Sequence, residues 1–364
     1  MKQAEQHIHG GTPEHDFAKF NIPQCEILDF SVNISPLGPP APIKDSWQKF
    51  SAEVERYPSI DGNGVKTFYA KKYGIGEANV LPGNGSTECI YLVPRVLKFK
   101  KAVILTPSFY DYGRSCKLAS IPVKAALYKM DSGFAVPQLD TIEQLMDDAD
   151  ALMIGHPNNP TGSLFSPDDI LTLSDQYPEK WVLIDEAFMQ FVENSDQYTF
   201  INEHRFRKNI LIFQSLTKFY ALPGLRLGCV IGHEETIAKL SPHKEPWTVN
   251  GIANQVALDL LKCQDYEHQL ESLIKTERER MYAEYRQLSG IQVFAPTANF
   301  FLAKWDATNN LDDLIRELLC NGLYIRDCRN FVGLEENYFR FAIRTQPENN
   351  QLLAVITQSV QKRQ

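Results

Sequence analysis

Lys218 lies in a stretch whose residue types could do covalent chemistry, FQSLTKFYALPGLRLG at positions 213–228. It follows an apolar run that ends at Ser215, and Thr217 and Arg226 flank it. A lysine after a strand is most often a solvated surface residue. Beside other cations, however, the pKa of a lysine falls and its free amine becomes a nucleophile. Because the hydroxyl groups and the arginine resemble anion ligands, we interpret Lys218 as a reactive amine beside an anion site.

Two carboxylates follow another apolar run, WVLIDEA at 181–187, in which Asp185 and Glu186 come directly after four apolar residues. An ionised carboxylate at the end of a buried strand is unfavourable unless a cation or a hydrogen-bond donor meets it. A helix cap or an internal salt bridge would meet this need. The protonated ring nitrogen of a ligand would meet it equally well, and this segment alone leaves both interpretations open.

Two further segments carry polar groups after apolar runs. GHPNNPTG at 155–162 has turn chemistry, so it is either an ordinary loop or a stiff loop that positions the Asn159 amide. LPGNGSTECIY at 81–91 is a glycine-rich turn that leads into a helix, and the free N–H groups at a helix start bind phosphate. A bare GxG pattern is weak by itself, and its value lies in its agreement with the other segments.

Together the four segments meet the needs of one cofactor, pyridoxal phosphate. This cofactor requires a lysine for its aldehyde, a carboxylate for its pyridinium nitrogen, an asparagine for its ring hydroxyl and a cradle for its phosphate. The pattern assigns Lys218 to the aldehyde and Arg226 to the phosphate.

The composition is that of an ordinary globular protein. The chain has 364 residues, of which 43% are hydrophobic and 23% are charged, and domain sizes predict roughly two domains for this length. The net charge of −8 argues against a general binder of nucleic acids or membrane surfaces. No signal-peptide pattern and no membrane-spanning apolar run of about 20 residues is present, so we expect a cytoplasmic protein.

Cysteine and histidine give no sign of disulfides or of a metal. The seven cysteines are dispersed without a CxxC pair, which is typical of reduced thiols. His7 and His9 form an HxH pair, but a metal site needs three or four ligands and no matching cluster follows. We therefore expect neither a disulfide framework nor a bound metal.

The order of elements predicts an α/β fold, with a mostly parallel central sheet flanked by helices and a smaller α+β C-terminal domain. Helices are predicted at VKTFYAKKY (65–73) and at STECIYLVPRVLKF (86–99), and a long charged helix at about 265–288. Short apolar runs are typical of strands that are buried on both faces. They are AVILT (102–106), ALMIG (151–155), WVLIDEA (181–187), ILIFQS (210–215) and CVIG (229–232).

We divide the chain into three parts. Residues 1–40 would form an N-terminal arm that packs with the small domain and with a dimer partner, residues 41–262 a large cofactor-binding domain, and residues 263–364 a small C-terminal domain. Ligands of open α/β sheets lie beyond the carboxyl ends of the strands. All four polar segments fall at such ends, which places the predicted site along one edge of the large domain's sheet.

The motifs NNPTG, IDEAF and SLTKFYALPGLRLG, in this order and spacing, resemble those of the fold-type-I pyridoxal-phosphate enzymes of the class II aminotransferase group. The resemblance covers nearly the whole chain, and histidinol-phosphate aminotransferases share the skeleton. Other segments are similar to threonine-phosphate decarboxylases, which make the aminopropanol phosphate linker of cobamides. These segments are HGG (9–11), DFSVNISPLG (29–38), ERYP (55–58), GNGSTE (83–88), EPWTVN (245–250) and YIRDCRNFVGL with YFRFAIRT (324–345). The aminotransferases usually have an NENPYG-like motif in place of DFSVNISPLG.

The resemblance implies roles in cofactor binding. Lys218 would bind the aldehyde, Asp185 would pair with the pyridine nitrogen, and Asn159 would bond the ring hydroxyl O3′. Phe109 in TPSFYDY would stack on the ring, where related enzymes often have tyrosine. The cofactor phosphate would be bound by Gly85, Ser86, Ser215 and Arg226, together with Tyr57 from the neighbouring subunit. The resemblance therefore implies a homodimer with shared active sites.

It also implies a substrate site. Arg340 would bind the substrate carboxylate, because its planar fork matches that group, and Asn159 would lie beside it. Arg326, with His9 and Asn33, would face a substrate phosphate. Arg344 could exchange roles with Arg340, or it could be part of a structural ion pair.

These roles imply a decarboxylase of an O-phospho-hydroxyamino acid. It would convert O-phospho-L-threonine to aminopropanol O-phosphate, or O-phospho-L-serine to ethanolamine phosphate, and so supply the linker of the cobamide nucleotide loop. The alternatives are a histidinol-phosphate aminotransferase and a non-catalytic regulatory protein of the same fold. The second alternative is disfavoured by the presence of both Lys218 and Asp185 and by the lack of a basic DNA-binding extension.

Overall fold

The structure is a computed structural model of the chain, and it describes residues 9–305, 310–334 and 337–362. His7 lies outside the described residues. Within these ranges the chain forms thirteen α-helices and thirteen β-strands. The helices are α1 Pro13–Phe20, α2 Ala41–Asp45, α3 Trp47–Phe50, α4 Asn63–Tyr73, α5 Ser86–Leu97, α6 Tyr110–Leu118, α7 Leu139–Met146, α8 Pro167–Gln176, α9 Glu234–Leu240, α10 Gly251–Leu260, α11 Gln264–Tyr285, α12 Leu311–Cys320 and α13 Gln346–Gln361. The strands are β1 Leu28–Asp29, β2 Val80–Asn84, β3 Ala102–Thr106, β4 Val123–Leu127, β5 Ala151–Gly155, β6 Trp181–Asp185, β7 Ile210–Ser215, β8 Leu227–Gly232, β9 Ile291–Val293, β10 Phe300–Trp305, β11 Leu323–Tyr324, β12 Arg326–Asp327 and β13 Tyr338–Ala342.

The central sheet has seven strands in the order β2-β8-β7-β6-β5-β3-β4. Neighbouring strands from β7 to β4 pair in parallel, whereas β8 is antiparallel to both β7 and β2. The predicted α/β fold with a mostly parallel sheet is therefore confirmed. The segment CVIG is not one of the parallel strands, because the connection 216–226 is too short for the crossover of a dozen or more residues that a parallel pair needs.

The apolar runs of the sequence are the buried strands of this sheet. Every residue of β3, β5, β7 and β8 is buried, since helices cover both faces. One side chain cluster includes Ile104, Met153 and Phe213, and a second includes Val103, Ile154 and Ile212. Alternate residues of one strand thus belong to the cores on the two sides of the sheet, which holds the strand ends in fixed positions.

A second, antiparallel sheet follows, with the strand order β12-β13-β10-β9. The start of the described chain is joined to this part of the molecule, because β1 pairs in parallel with β11 at Leu28↔Leu323. The long helix α11 connects the two regions. The division of the chain at residues 40 and 262 stays a prediction. No helix within the described ranges combines the length and the apolar character that crossing a membrane requires.

The reversed direction of β8 decides where the polar loops meet. The carboxyl ends of β2, β5, β6 and β7 lie at one edge of the central sheet. Since β8 runs the other way, its first residue lies at that same edge, and so does Arg226, which immediately precedes it. The backbone N–H of Gly85 donates to the Arg226 carbonyl at 2.8 Å. The glycine-rich turn after β2 and the loop before β8 are therefore held together.

Candidate active site

Two cavities that share lining residues lie where this edge meets the antiparallel sheet. The larger has a volume of about 200 Å³ and the smaller about 100 Å³. Their common wall is formed by Phe109, Asn159, Phe188 and Lys218. A third cavity, of about 310 Å³, lies between α6 and the loop 330–332. It lacks Lys218, which lines both of the other two, and Asp185, which lines the smaller one, so we assign the site to the smaller pair.

Lys218 is held by the hydroxyl group of Ser215, which in turn contacts the hydroxyl group of Thr217. Its Nζ donates to Ser215 Oγ at 2.9 Å, and Ser215 Oγ lies 2.9 Å from Thr217 Oγ1. Burial is the main reason that the pKa of Lys218 falls to about 8, and this value includes an opposing effect of Asp185 and a lowering effect of Arg226. At this pKa a substantial fraction of the amine is neutral near physiological pH. Lys218 therefore has the properties of the nucleophile that its sequence context indicates.

Asp185 ends β6 and lines the smaller cavity with Lys218. Its Oδ2 accepts a hydrogen bond of 2.8 Å from the Tyr112 hydroxyl, and its Oδ1 accepts one of 2.9 Å from the Ala187 N–H. Burial raises the pKa of Asp185, and these two donors act against that rise. Glu186 points elsewhere, since it accepts bonds from Thr199, Phe200 and Gln214 in the protein interior. Of the two carboxylates in the sequence motif, Asp185 is the one that lines the cavity.

Gly85, Ser86 and Arg226 form a cradle at the start of α5. No side chain caps this helix, so its first N–H groups are open to a ligand. Gly85 has a φ of 76°, and a Cβ there would lie 2.5 Å from Arg226 Nη2. Among the described residues, the hydrogen bond that Arg226 donates goes to the Pro223 carbonyl at 3.2 Å. Most of its N–H donors thus have no acceptor within the described parts of the chain, as an anion site requires.

Phe109 and Asn159 approach the site from different loops. Phe109 precedes α6, and its ring lines both cavities beside Asp185 and Lys218. Asn159 Oδ1 accepts a hydrogen bond from Arg340 Nη1, which directly joins the loop after β5 to the antiparallel sheet.

Arg326 and Arg340 face the larger cavity from neighbouring strands. They are direct cross-strand partners in the β12–β13 pair, and both are buried. Arg340 Nη2 donates to the Ser31 carbonyl at 2.7 Å, and Arg326 Nη2 donates to Asn330 Oδ1 at 2.8 Å. Burial is the main reason that the pKa of Arg340 falls to about 10, and this value includes a lowering effect of Arg326 and opposing effects of Cys328 and Asp29. Two like charges directly opposite each other are unfavourable, so this arrangement favours the binding of anionic groups.

The N-terminal segment supplies a further polar wall. Asn33 is 5% exposed and lines the larger cavity, yet neither its side-chain oxygen nor its nitrogen has a partner in the described parts of the chain. His9 lines the same cavity, and its ring centroid lies 6.1 Å from that of Phe109. Burial lowers the pKa of His9, and Arg326 also lowers it. An orphaned buried amide at this position suits a ligand that both accepts and donates hydrogen bonds.

Tyr57 and Arg344 lie outside these two cavities. Tyr57 is 84% exposed, and its ring centroid is 5.4 Å from that of Trp247. Arg344 donates to Glu348 Oε1 at 2.8 Å and to the Asp29 carbonyl at 3.2 Å. The structure thus brings all the other predicted site residues to one edge and gives Arg344 the contacts of a structural ion pair.

Tyr112 and Phe188 also line the smaller cavity, and the sequence interpretation assigned neither of them a role. Tyr112 lies three residues after Phe109, which is one helical turn, and this spacing was the available signal. Phe188 follows the IDEA motif and packs edge-on against Phe300 at a centroid distance of 5.3 Å. It therefore forms an apolar wall between the loop after β6 and the antiparallel sheet.

The chain belongs to the aminotransferase class I and II family, whose sequence model matches residues 26–356. The fold, together with Lys218 after β7 and Asp185 at the end of β6, is what this class of enzymes has in common.

Particular members are similar over most of their length. The threonine-phosphate decarboxylase of Salmonella typhimurium is 31% identical over 96% of this chain and 95% of its own. The histidinol-phosphate aminotransferase of Flavobacterium johnsoniae is 32% identical over 82% of this chain and 84% of its own. Among solved structures, the histidinol-phosphate aminotransferase of Clostridium acetobutylicum has a TM-score of 0.85, is 28% identical, and covers 92% of this chain and 100% of that one.

Proposed function

We propose that the protein is a pyridoxal-phosphate-dependent decarboxylase of an O-phospho-hydroxyamino acid, of the threonine-phosphate decarboxylase type. One observation carries the proposal: two buried arginines, Arg326 and Arg340, face a cavity that also contains the Lys218 amine. A substrate with both a carboxylate and a phosphate supplies an anion for each arginine. The product would be aminopropanol O-phosphate or ethanolamine phosphate, as the linker of a cobamide.

The residues of the site fit pyridoxal phosphate. The cradle of Gly85, Ser86 and Arg226 offers the start of a helix to the phosphate, together with Arg226 N–H donors that have no acceptor among the described residues. The hydroxyl group of Ser215, which accepts a hydrogen bond from Lys218, would complete this phosphate site. Asp185 would hold the pyridine nitrogen, Phe109 would stack on the ring, and Asn159 would bond O3′. When bound there, the cofactor would supply an electron sink for the bonds at the substrate's Cα.

The chain's own groups would bind the substrate and move protons. Arg340, which is fixed by Ser31 and Asn159, would orient the carboxylate, while Arg326, His9 and Asn33 would bind the phosphate. The Lys218 amine, with a pKa of about 8, can both release and accept a proton near neutral pH. Phe188 and Phe109 would keep water from the reacting atoms.

The choice between decarboxylation and transamination depends on which Cα bond the site holds across the ring plane. Both activities occur among the similar proteins, so this choice is the part of the proposal that needs a direct test. The decarboxylase is favoured because the Salmonella relative combines 31% identity with coverage of 96% of this chain, whereas the aminotransferases of Flavobacterium johnsoniae and Pyrococcus furiosus, at 32% and 30% identity, cover 82% and 91%. It is also favoured by the orphaned Asn33, which lies in the DFSVNISPLG segment that distinguishes the two groups.

Incubation of the purified enzyme and coenzyme with O-phospho-L-threonine, and separately with O-phospho-L-serine, is expected to release CO₂ without any 2-oxo acid. The two substrates differ by one methyl group, which is worth roughly 1–3 kcal/mol of discrimination in a pocket. Trapped CO₂ and the phosphorylated amine would be quantified together. Histidinol phosphate serves as the control, because conversion of the coenzyme to its amine form by that compound, with a keto product, would instead show an aminotransferase.

A homodimer is part of the same proposal, and exposed apolar side chains support it. Tyr57, Ile60 and Val54 are 84%, 64% and 72% exposed, and Trp247 beside them is 47% exposed. Exposed apolar side chains of this kind are typical of an interface. A second copy would cover it and bring Tyr57 towards the partner's cofactor phosphate. Sedimentation as a single chain at assay concentrations would contradict this part of the proposal. The cytoplasmic location stays a prediction.

A further inference from the structure

Tyr112 lies behind the carboxylate that would face the coenzyme. It is in the first turn of α6, it is 3% exposed, and its hydroxyl donates to Asp185 Oδ2 at 2.8 Å. We infer that Tyr112 is a positioning residue that keeps Asp185 ionised and aimed at the coenzyme ring. This inference rests on the proposed function and adds a residue to it.

The physical need for such a donor follows from the burial of Asp185, which is 8% exposed. A buried carboxylate without donors loses its hydration and takes up a proton instead. Asp185 belongs to none of the ion pairs within 4 Å in the described chain, and Lys218 influences it only from farther away. The two hydrogen bonds, from Tyr112 to Oδ2 and from the Ala187 N–H to Oδ1, are therefore what the protein provides for the charge.

The two bonds differ in kind. The Ala187 N–H lies two residues away and belongs to the turn that follows β6, so a local backbone conformation supplies it. The Tyr112 hydroxyl comes from a different element, 73 residues away in sequence. A long-range bond of this kind fixes the side-chain rotamer of Asp185 relative to the rest of the site, which the local turn alone does not do.

The same helix turn also positions the residue that would stack on the ring. Phe109 immediately precedes α6, and the Phe109 and Tyr112 rings meet edge to face at a centroid distance of 5.6 Å. Ser115 Oγ donates to the Tyr112 carbonyl at 2.9 Å within this helix. One rigid turn thus holds both the stacking ring and the donor for the carboxylate, so that the two contacts to the coenzyme keep their relative position.

The groups around Tyr112 and Asp185 favour an ionised carboxylate and a protonated phenol. The groups that influence Asp185 are Tyr112 from α6, the Ala187 N–H and Lys218 from the loop after β7, and all of them lower its pKa against the effect of burial. Burial raises the pKa of Tyr112 well above its usual range, and Asp185 and Tyr128 raise it further. The phenol therefore keeps its proton and remains a donor across the working range of pH.

Tyr112→Phe tests the inference, with Tyr128→Phe as a matched control. Tyr128 is 5% exposed, and its hydroxyl has no partner in the parts of the chain that the structure describes, so this substitution removes an oxygen without removing a hydrogen bond. The coenzyme would be removed from each holoenzyme and titrated back, with its dissociation constant measured by absorbance between pH 5 and pH 9. A hydrogen bond to a charged group is worth about a ten- to hundredfold change in such a constant.

We expect Tyr112→Phe to bind the coenzyme about ten- to a hundredfold more weakly, and Tyr128→Phe to bind it as the wild type does. The sign of the pH effect follows from Asp185. Affinity is present above the pKa of this carboxyl and is lost as the pH falls through it, and removal of the donor raises that pKa. The loss of affinity should therefore begin at a higher pH in Tyr112→Phe. Nitrogen-15 resonances of the labelled coenzyme ring would report the same shift without any turnover.

Equal affinity and superimposable pH profiles of Tyr112→Phe and wild type would overturn the inference. A uniform loss of affinity at every pH, without displacement of the profile, would also overturn it, because it would indicate packing and not the charge of Asp185. If the wild-type protein itself fails to bind the coenzyme, the proposed function fails instead. The two failures are thus distinguished by the wild-type titration.

Discussion

Replacing Lys218 with alanine is expected to lower turnover by at least about a thousandfold, because it removes the nucleophilic amine and a proton donor together. The buried amine, with a pKa of about 8 and a hydrogen bond to Ser215 Oγ, has no replacement among the other residues that line the two cavities. Steady-state CO₂ release from phosphothreonine measures the loss. Borohydride treatment followed by peptide mass analysis should attach the coenzyme to Lys218 in the wild type and to no residue in the variant.

Lys208→Ala is the control for this substitution. Lys208 has a side chain that is 63% exposed and pairs with Glu235 at 2.7 Å on the surface. This substitution removes the same functional group from the protein surface, away from the active site. We expect its turnover to stay within about a factor of two of the wild-type value, as is usual for surface substitutions. A Lys218→Ala enzyme that keeps its activity, with Lys208→Ala unchanged, would exclude covalent coenzyme catalysis at position 218.

The sequence predicted the strands of the central sheet that are apolar runs, and it missed the strands that contain turn residues or exposed positions. AVILT, ALMIG and ILIFQS are continuous apolar runs, and the strands β3, β5 and β7 have the same bounds. β2 and β4 were missed. The residues of β2, VLPGN, include a proline and a glycine that resemble a turn, and β4 is an edge strand with exposed positions. The sequence also did not predict that β8 is antiparallel to β7, because an apolar run gives no information about the direction of a strand in its sheet.

The residues of the candidate site that lie at the ends of strands could be predicted from the sequence. Asp185 and Arg226 lie next to strand ends, and strand ends meet at one edge in this kind of sheet. Tyr112 could not be assigned a role, because its contact with Asp185 spans 73 residues and depends on the docking of α6. The orphaned amide of Asn33 was likewise invisible in sequence, since a missing partner is a property of the packed structure.

The roles of Arg340 and Arg344 illustrate the same limit. Both lie in YFRFAIRT, and the sequence left open which of them would bind the substrate carboxylate. The register of the sheet places Arg340 opposite Arg326, whereas Arg344 follows the end of β13 and meets Glu348 at the start of α13. The two arginines are of the same residue type, and only the pairing of the strands shows that Arg340 faces the cavity and Arg344 does not.

Replacing Arg340 with alanine is expected to lower kcat/KM by roughly 30- to several-thousandfold. Truncation of one member of a buried, hydrogen-bonded charge pair costs about 2–5 kcal/mol, and Arg340 is 6% exposed within the cavity. Arg344→Ala is the matched control. It breaks a pair with Glu348 outside both cavities, so it should lower the temperature of unfolding while kcat/KM stays within a few-fold.

Threonine without its phosphate separates the two anion sites. If Arg340 binds the carboxylate, Arg340→Ala should slow phosphothreonine and threonine by similar factors, because both substrates have that group. Arg326→Ala should slow phosphothreonine alone and so reduce the preference for the phosphorylated substrate. The opposite pattern would exchange the two arginines, and an Arg344→Ala enzyme as impaired as Arg340→Ala, but equally well folded, would move the carboxylate site to Arg344. Since Arg326 and Arg340 are cross-strand partners with like charge, the double variant should lose less than the product of the two single effects.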